Sequence, residues 1–262
     1  MVRHVTTPAG VEIACDVSGS GRPLVLVHGA GSARWGFDVL RPLLEDRFSV
    51  IAIDRRGRGE SGDAQGPYAI ESEFEDVAAV VRDAGEDALL FGHSYGALVA
   101  AGAAPLIQGL SKLVLYEPPM GGVLAEPARI DHWESLIESG DAEVQVREFL
   151  DVIGGYTDQE IEQMRATPAW ELRKQVAPTV PRELRAEGAL RLEQLGLGLL
   201  GIPVLMLVGS ESPDWARRST TGFAQALPQA EVHTLEGYGH GGTVTAPELV
   251  AREIAGFLAD AA

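Results

Sequence analysis

A serine between two glycines is the feature of this sequence with the clearest chemistry. Gly92 and Gly96 flank Ser94, after an apolar run at 88–91 that predicts a buried strand and before one at 97–101 that predicts a helix. Glycine at both flanks permits a very tight turn, because side chains there would clash with the neighbouring chain. The spacing therefore predicts a nucleophile elbow, with the serine hydroxyl at the tip of the turn beside the first amides of the helix.

The end of the sequence supplies a candidate base for this serine. A serine hydroxyl is too weak an acid to attack an ester unaided, so it needs a group that removes its proton. His240 follows the last predicted strand, 231–235, and lies in the glycine-rich loop 237–242. We therefore expect His240 to be the general base for Ser94.

Apolar runs elsewhere predict the sheet that must position these residues. Residues 2–6 and 11–18 predict a hairpin, and helical patterns follow, one opened by a capping box at Ser72 and one opened near Thr245. Continuous apolar runs are typical of strands buried on both faces of a parallel sheet, and they occur at 24–27, 49–53, 112–116 and 203–208. The alternation of strands and helices predicts an α/β fold with helices on both faces of a mostly parallel sheet.

The sequence pattern changes over residues 121–200, which contain charged helical segments and no strand-like run. Thr157 opens one of these helices with a capping box, and Pro178 and Pro181 are expected to break the last one. The predicted helices are 130–139, 142–153, 158–166 and 168–176. We interpret 121–200 as a helical cap inserted into a core domain that comprises 1–120 and 201–262.

Four segments, taken in order, make the chain resemble the α/β-hydrolase superfamily. They are His28-Gly29-Ala30-Gly31, Asp54-Arg55-Arg56-Gly57-Arg58-Gly59-Glu60-Ser61, the turn at Ser94, and Gly239-His240-Gly241. The resemblance extends over almost the whole chain and is weakest in the cap. It implies the α/β-hydrolase fold, with an eight-stranded, mostly parallel sheet and an inserted helical cap. It also implies a carboxylesterase-like serine hydrolase that needs no cofactor.

The resemblance implies a catalytic triad, and its acid, which orients His240, has three candidates in this sequence. The family usually carries an aspartate where this chain has Ser212, which with Pro213 predicts a helix N-cap. Asp214 would then lie in the first helical turn, where the helix dipole favours a carboxylate without any catalytic role. Some family members carry the acid where this chain has Glu117, at the end of the strand after the elbow. We rank Glu117 first, Asp214 second and Glu211 third.

The resemblance also assigns residues that would contact the substrate. The backbone amides of Ala30 and Tyr95 would form the oxyanion hole. His28 is expected to brace its own loop and, with Gly29 and His93, to line the substrate pocket. Four large apolar residues are candidates for an acyl pocket, although such residues more often fill a core; they are Trp35, Met120, Trp133 and Trp170.

Two patterns in the sequence bear on whether the protein binds a metal or a nucleotide cofactor. The histidines do not form a zinc-binding spacing. Residues 57–62 match the glycine pattern of a dinucleotide site, but a loop follows them where that site needs a helix. We interpret this segment as a turn braced by Asp54 and the arginines, and we expect neither a metal nor a cofactor.

Composition restricts the partners and the compartment. The formal net charge of −17 argues against nucleic acid as a partner, and no apolar run approaches a membrane span. Cys15 is the sole cysteine, so no internal disulfide forms, and the first residues lack the apolar region of a signal peptide. We expect a cytoplasmic protein with a small-molecule substrate. Its two lysines, against many arginines, alanines and glycines, indicate a GC-rich bacterial genome.

The sequence thus predicts a hydrolase of small or medium carboxylic esters or lactones that forms an acyl-enzyme on Ser94. Serine at the elbow argues against haloalkane dehalogenases and epoxide hydrolases, in which a carboxylate attacks. Perhydrolase, carbon–carbon bond hydrolase and hydroxynitrile lyase chemistry remain open on the same triad. A non-catalytic ligand-binding relative also remains open, and the missing aspartate at position 212 favours it.

Overall fold

The computed structural model describes residues 2–124 and 126–259. Within these residues, eight strands form one sheet in the order β1-β2-β4-β3-β5-β6-β7-β8. The strands are Val2–Thr6 (β1), Glu12–Gly19 (β2), Arg22–Val27 (β3), Phe48–Ile53 (β4), Leu89–His93 (β5), Lys112–Tyr116 (β6), Val204–Gly209 (β7) and Ala230–Leu235 (β8).

The sheet is antiparallel only at its N-terminal side. β2 pairs antiparallel with both β1 and β4, whereas every pair from β4 through β3, β5, β6 and β7 to β8 is parallel. The carboxyl ends of the parallel strands therefore meet at one edge, which is where ligands bind in such sheets.

Helices cover both faces of this sheet. The helices are Ile70–Ala84 (α1), Tyr95–Ala103 (α2), Pro127–Glu138 (α3), Ala142–Phe149 (α4), Asp158–Arg165 (α5), Ala169–Val176 (α6), Val180–Ala189 (α7), Asp214–Ala226 (α8), Gly242–Thr245 (α9) and Pro247–Leu258 (α10). α1, α2 and α8 pack in the apolar cluster on one face, and α10 packs in the cluster on the other. The predicted α/β fold class, with a mostly parallel eight-stranded sheet covered on both faces, is confirmed.

Helices α3 to α7 lie between β6 and β7, and we keep the name cap for residues 121–200. The capping box at Thr157 is present, since its side chain and that of Glu160 bond each other's backbone amides. α7 was not predicted, because Pro181 was expected to break a helix. Pro181 instead lies in the first turn of α7. The backbone N–H that proline lacks would have no partner within the helix at that position.

The predicted helix start at Ser72 is wrong. α1 begins at Ile70, with Ala69 as its N-cap and no capping bond from a side chain. Glu73, in the first turn of α1, is buried and accepts hydrogen bonds of 2.9 and 2.8 Å from Nη1 of Arg55. Ser72 lies inside the first turn of α1 instead of preceding it, since its amide donates to the Ala69 carbonyl at 3.2 Å.

A buried ion network joins the core to the cap. We name Arg55, Arg58, Glu73 and Glu183 the Arg55–Glu183 network. Nη2 of Arg55 lies 2.8 Å from Glu183 Oε1, to which Arg58 also donates a hydrogen bond. Nη1 of Arg58 donates to the carbonyl of Val176 in the cap at 2.9 Å. These side chains are almost fully buried, so each charge is neutralised by its partners in the network and not by water.

The segment 57–62 forms a turn, and α1 begins only at Ile70. Asp54 stabilises this region because its Oδ1 accepts from the Arg34 amide at 2.9 Å and its Oδ2 from the Glu60 amide at 3.0 Å. Among the helices of the described residues, none is both long and apolar enough for a membrane crossing.

Candidate active site

Ser94 lies at the junction of β5 and α2 in a strained backbone conformation. Its φ is 55° and its ψ is −128°, a region that non-glycine residues rarely adopt. The Ser94 amide donates a 2.8 Å hydrogen bond to the carbonyl of Tyr116 and so ties the turn to β6. A Cβ on Gly96 would overlap the carbonyl of Val27, and one on Gly92 would overlap the carbonyl of Gly96. The two flanking glycines are therefore steric requirements of this turn.

Glu117 and His240 form a buried pair at the carboxyl edge of the sheet. Nδ1 of His240 lies 2.5 Å from Oε2 of Glu117, and the Glu117 side chain is 0% exposed. Since a carboxylate only accepts, Nδ1 carries the proton in this bond and Nε2 is left as an acceptor. Glu117 also has a left-handed backbone, with φ 50°. Such strain is characteristic of functional sites.

Hydrogen bonds determine the charge state of Glu117. Burial by itself would raise the pKa of this carboxyl, but hydrogen bonds from His240, Ser212 and the Gly209 amide hold the pKa below its ordinary value. Oε1 accepts from the Ser212 hydroxyl at 2.5 Å and from the Gly209 amide at 2.7 Å. Glu117 is therefore a carboxylate at neutral pH.

The two lower-ranked acids lie away from His240. Asp214 is 80% exposed and pairs with Arg217, and Glu211 is also exposed. The predicted N-cap role of Ser212 is wrong, because α8 begins at Asp214 without a capping bond from a side chain. The Ser212 hydroxyl points instead at Glu117, whose charge attracts it more strongly than a neutral amide would.

Aromatic rings and two loop carbonyls fix the position of His240. The Trp215 ring stands edge-on to the imidazole at 4.9 Å, and the His93 ring lies at 4.8 Å. Nε2 of His93 donates to the His240 carbonyl at 2.9 Å, and the Tyr116 hydroxyl donates to the Gly239 carbonyl at 2.6 Å. Burial, together with the nearby His240, lowers the pKa of His93 to about 3, so His93 is neutral.

The His28 loop presents a backbone amide beside the elbow. Nδ1 of His28 donates to the Gly29 carbonyl at 2.9 Å, and Nε2 accepts from the Arg55 amide at 3.1 Å. Burial and the charge of Arg55 lower the pKa of His28 well below its ordinary value. The Ala30 and Tyr95 amides donate to no backbone carbonyl in the part of the chain that the structure describes. Both N–H groups are therefore available to an oxyanion.

A cavity of about 360 Å³ lies between the carboxyl edge of the sheet and the cap. Ser94 and His240 both line it. Among the described residues, no hydrogen bond joins Ser94 Oγ to His240 Nε2. The core contributes His28, Gly29, Ala30, Trp35, His93 and Thr243 to the lining, and the cap contributes Phe149, Leu150, Ile153, Tyr156, Met164 and Arg173.

Four of the seven expected pocket residues line this cavity, namely His28, Gly29, Trp35 and His93. Met120, Trp133 and Trp170 do not, because they pack elsewhere. Trp133 is fully buried and donates through Nε1 to Glu148 at 2.8 Å. Trp170 fills an apolar cluster inside the cap, and Met120 packs against the main core. For these three residues, core packing prevails over a role in the pocket.

Tyr156 and Arg173 are pocket residues that the sequence interpretation missed. Tyr156 follows Gly154 and Gly155, which end the π-helical turn Leu150–Gly154 after α4. That glycine pair is a sequence signal for a loop, but a loop signal does not reveal what the next side chain faces. Arg173 lies on α6 among other charged residues, and only the packing of the cap distinguishes it from them.

Within residues 2–124 and 126–259, no group of three or more histidine, cysteine, aspartate or glutamate side chains is arranged to hold a metal ion. The polar groups at this edge of the sheet instead include the Ser94 hydroxyl, the His240 imidazole with Glu117 behind it, and the free amides of Ala30 and Tyr95. Such a set can activate an oxygen nucleophile and stabilise an oxyanion.

Comparison with known proteins places this geometry in a family. The profile of the alpha/beta hydrolase family matches residues 24–253. The crystal structure of an alpha/beta hydrolase from Sphaerobacter thermophilus superposes with a TM-score of 0.82 at 33% identity, covering 98% of this chain and 100% of that one. A malate-bound thermophilic esterase from Thermogutta terrifontis superposes with a TM-score of 0.69 at 26% identity, covering 98% of each chain.

Among curated proteins, 2-(acetamidomethylene)succinate hydrolase from Mesorhizobium japonicum is 36% identical over 98 residues. That match spans 37% of this chain and 35% of the relative, so only about a third of the relative is aligned. The family profile, by contrast, extends from β3 into α10. The chain therefore belongs to the alpha/beta hydrolase family.

Proposed function

We propose that this protein is a cofactor-free serine hydrolase that cleaves a small or medium carboxylic ester or lactone. The observation that carries the proposal is the buried Glu117–His240 pair, whose His240 lines the same cavity as the strained Ser94. The hydrolase and esterase among the relatives support the same reaction class. Nucleophile, acid and base follow one another along the chain in the order typical of this fold.

Acylation begins with proton transfer from Ser94 to His240. Glu117 holds the Nδ1 proton, so Nε2 is the acceptor for the serine proton. The serine oxygen attacks the substrate carbonyl, and the Ala30 and Tyr95 amides donate to the oxyanion that forms. One such donor is worth about 3 kcal/mol in the transition state. The imidazolium then protonates the departing alcohol, which leaves an acyl group on Ser94.

Deacylation repeats these steps with water. His240 removes a proton from water, and the hydroxide attacks the acyl carbonyl. The second tetrahedral intermediate collapses, the acid leaves, and the proton returns to Ser94. The serine–imidazole contact is often long without substrate and tightens in the reacting complex. Both residues line the cavity, where a bound substrate would lie between them and the cap.

The missing aspartate at position 212 was the argument for a non-catalytic relative. Glu117 weakens that argument, because it gives His240 a carboxylate from β6 instead of β7. Ser212 then hydrogen-bonds the acid and does not need to replace it. A carboxylate that holds the Nδ1 proton of a cavity-lining imidazole is what the acid of a serine–histidine–acid triad does.

A turnover screen tests the proposal. The substrates are nitrophenyl esters of graded acyl length and several lactones. We expect turnover by the wild type, and losses of about 10³-fold or more in Ser94→Ala and in His240→Gln. His132→Gln is the matched control, since His132 is a half-exposed cap histidine outside the cavity. Full turnover by Ser94→Ala would refute the proposal.

A further inference from the structure

Arg173 is a cation placed in the cavity beside the loop of the oxyanion hole. Its guanidinium lies over the Trp35 ring, 5.0 Å from the ring centroid, and Nη1 donates to the Gly31 carbonyl at 3.3 Å. Both partners belong to the segment that follows Ala30. The positive charge therefore faces the same cavity as Ser94 and lies next to the backbone that would hold the oxyanion.

No carboxylate of residues 2–124 or 126–259 forms an ion pair with Arg173. Its neighbour Lys174, by contrast, lies 2.8 Å from Glu171 and 3.8 Å from Glu143. Burial lowers the pKa of Arg173, and only Tyr156 opposes that shift. An arginine stays charged in proteins, so a partly buried one without a counter-ion is costly to the free protein. A ligand with negative charge would remove that cost.

The other charged residue of the cavity lining does not neutralise this cation. Asp38 is 66% exposed and lies 4.0 Å from Arg41, which is its ion-pair partner. It is not among the groups that shift the pKa of Arg173. The inner part of the lining is mostly apolar, with Phe149, Leu150 and Ile153. The attraction of Arg173 for an anion is therefore weakly screened.

Tyr156 adds a hydroxyl donor to the same region. A Cβ on Gly241 would overlap the Tyr156 hydroxyl, so this oxygen lies against the loop that carries His240. Burial raises the pKa of Tyr156, which keeps the hydroxyl protonated. Among the described residues, the Tyr156 hydroxyl forms no side-chain or backbone hydrogen bond. A guanidinium and a free hydroxyl are a suitable pair of donors for a carboxylate.

We propose that the cavity takes a substrate that bears a carboxylate in addition to the bond that is cleaved. The carboxylate binds Arg173 and Tyr156, and the reacting carbonyl lies at Ser94, a placement that rests on the function proposed above. Half-esters of short dicarboxylic acids are the simplest members of this class. The formal net charge of −17 repels anions at long range, so any preference for an acid must arise from this local site.

Matched substrates test the preference directly. Monoethyl glutarate is hydrolysed to ethanol and glutarate, and its primary amide has the same shape without the charge. We expect the wild type to show a kcat/KM ratio of acid to amide of about 10 or more, which Arg173→Met lowers about 10- to 100-fold. Tyr156→Phe should lower the ratio about 3- to 10-fold, as for one neutral hydrogen bond. Arg173→Lys should retain part of the ratio.

Lys174→Met is the control variant, because Lys174 lies on the same helix but pairs outside the cavity. It should leave the ratio unchanged. A purely structural role for Arg173 would lower the rates for acid and amide alike and leave their ratio as in the wild type. That result would overturn the inference without affecting the proposed function.

Calorimetric titration with glutarate gives a readout that does not depend on turnover. We expect the wild type and Lys174→Met to bind glutarate and Arg173→Met to bind at least 10-fold more weakly, provided that the melting temperatures match. If no ester is cleaved but glutarate binds in this pattern, the proposed function fails and the carboxylate site stands. Absence of binding to the wild type would overturn the carboxylate site.

Discussion

The hydroxyl of Ser212 donates a 2.5 Å hydrogen bond to Oε1 of Glu117, while Oε2 of the same carboxylate faces Nδ1 of His240. The Gly209 amide donates to Oε1 as well, at 2.7 Å. The end of β7 therefore holds the carboxylate that the end of β6 supplies. With Oε1 occupied by two donors, Oε2 is directed at the imidazole.

Ser212→Ala should reduce kcat about 10-fold, because it removes one of the bonds that orient and stabilise the Glu117 carboxylate. The same change should shift the acid limb of the pH–kcat profile to higher pH. The sign follows from the pKa of Glu117, which the Ser212 bond lowers. A carboxylate whose pKa is lowered in the folded protein stabilises the fold above its ordinary pKa. That stabilisation is lost as the pH falls through the lowered pKa.

Thr221→Ala, at an exposed position of α8, is the control for Ser212→Ala. It should leave both kcat and the pH profile unchanged. A Ser212→Ala variant with wild-type kcat and an unshifted acid limb would show that the hydroxyl does not support Glu117.

Glu117→Gln should lower ester turnover about 10³- to 10⁴-fold, since a neutral amide neither stabilises the imidazolium nor selects its tautomer. Asp214→Asn and Glu211→Gln should stay within about 2-fold of the wild type, because both side chains are exposed and neither contacts His240. Steady-state kinetics on one nitrophenyl ester ranks the three variants. A larger loss in Asp214→Asn than in Glu117→Gln would exclude Glu117 as the acid.

Glu183→Ala should lower the free energy of unfolding by about 3–5 kcal/mol, because it leaves Arg55 and Arg58 buried without this shared partner. Arg185→Ala is a suitable comparison. It breaks only exposed pairs, with Asp131 and Glu134, and should cost less than about 1 kcal/mol. Urea unfolding measures both. Equal small losses would mean that the Arg55–Glu183 network does not hold the cap to the core.

His93→Asn should make the fold less sensitive to acid. The pKa of His93 is about 3 in the folded protein against an ordinary 6.5, so the unfolded chain binds more protons between these values. His93 therefore reduces stability progressively as the pH falls from 6.5 towards 3. Urea midpoints of wild type and His93→Asn should converge or cross as the pH is lowered. A pH dependence identical in wild type and His93→Asn would show that burial of His93 does not couple folding to pH.

Strand order explains why the residues predicted for the core side of the site lie together in the structure. Ser94, Glu117 and His240 each follow a parallel strand, and the carboxyl ends of such strands meet at one edge. Apolar runs and glycine positions, which predict those strands and turns, are local signals. The role of Ser212 was not evident, because serine before proline is also a common N-cap, and only the proximity of Glu117 distinguishes the two.

The cap side of the site could not be predicted in the same way. Trp133, Trp170, Tyr156 and Arg173 lie in the same charged helical segment and its loops, and sequence alone does not show which of them face the core. The packing of helices against one another determines that choice. Trp133 and Trp170 pack in apolar clusters, whereas Tyr156 and Arg173 line the cavity.

Labelling with a fluorophosphonate, followed by peptide mass mapping, tests most directly whether His240 activates Ser94. Our account predicts a single adduct on the peptide that contains Ser94, and a labelling rate at least about 10³-fold lower in His240→Ala. An adduct elsewhere with Ser94 unmodified, or equal labelling rates in the two proteins, would contradict it.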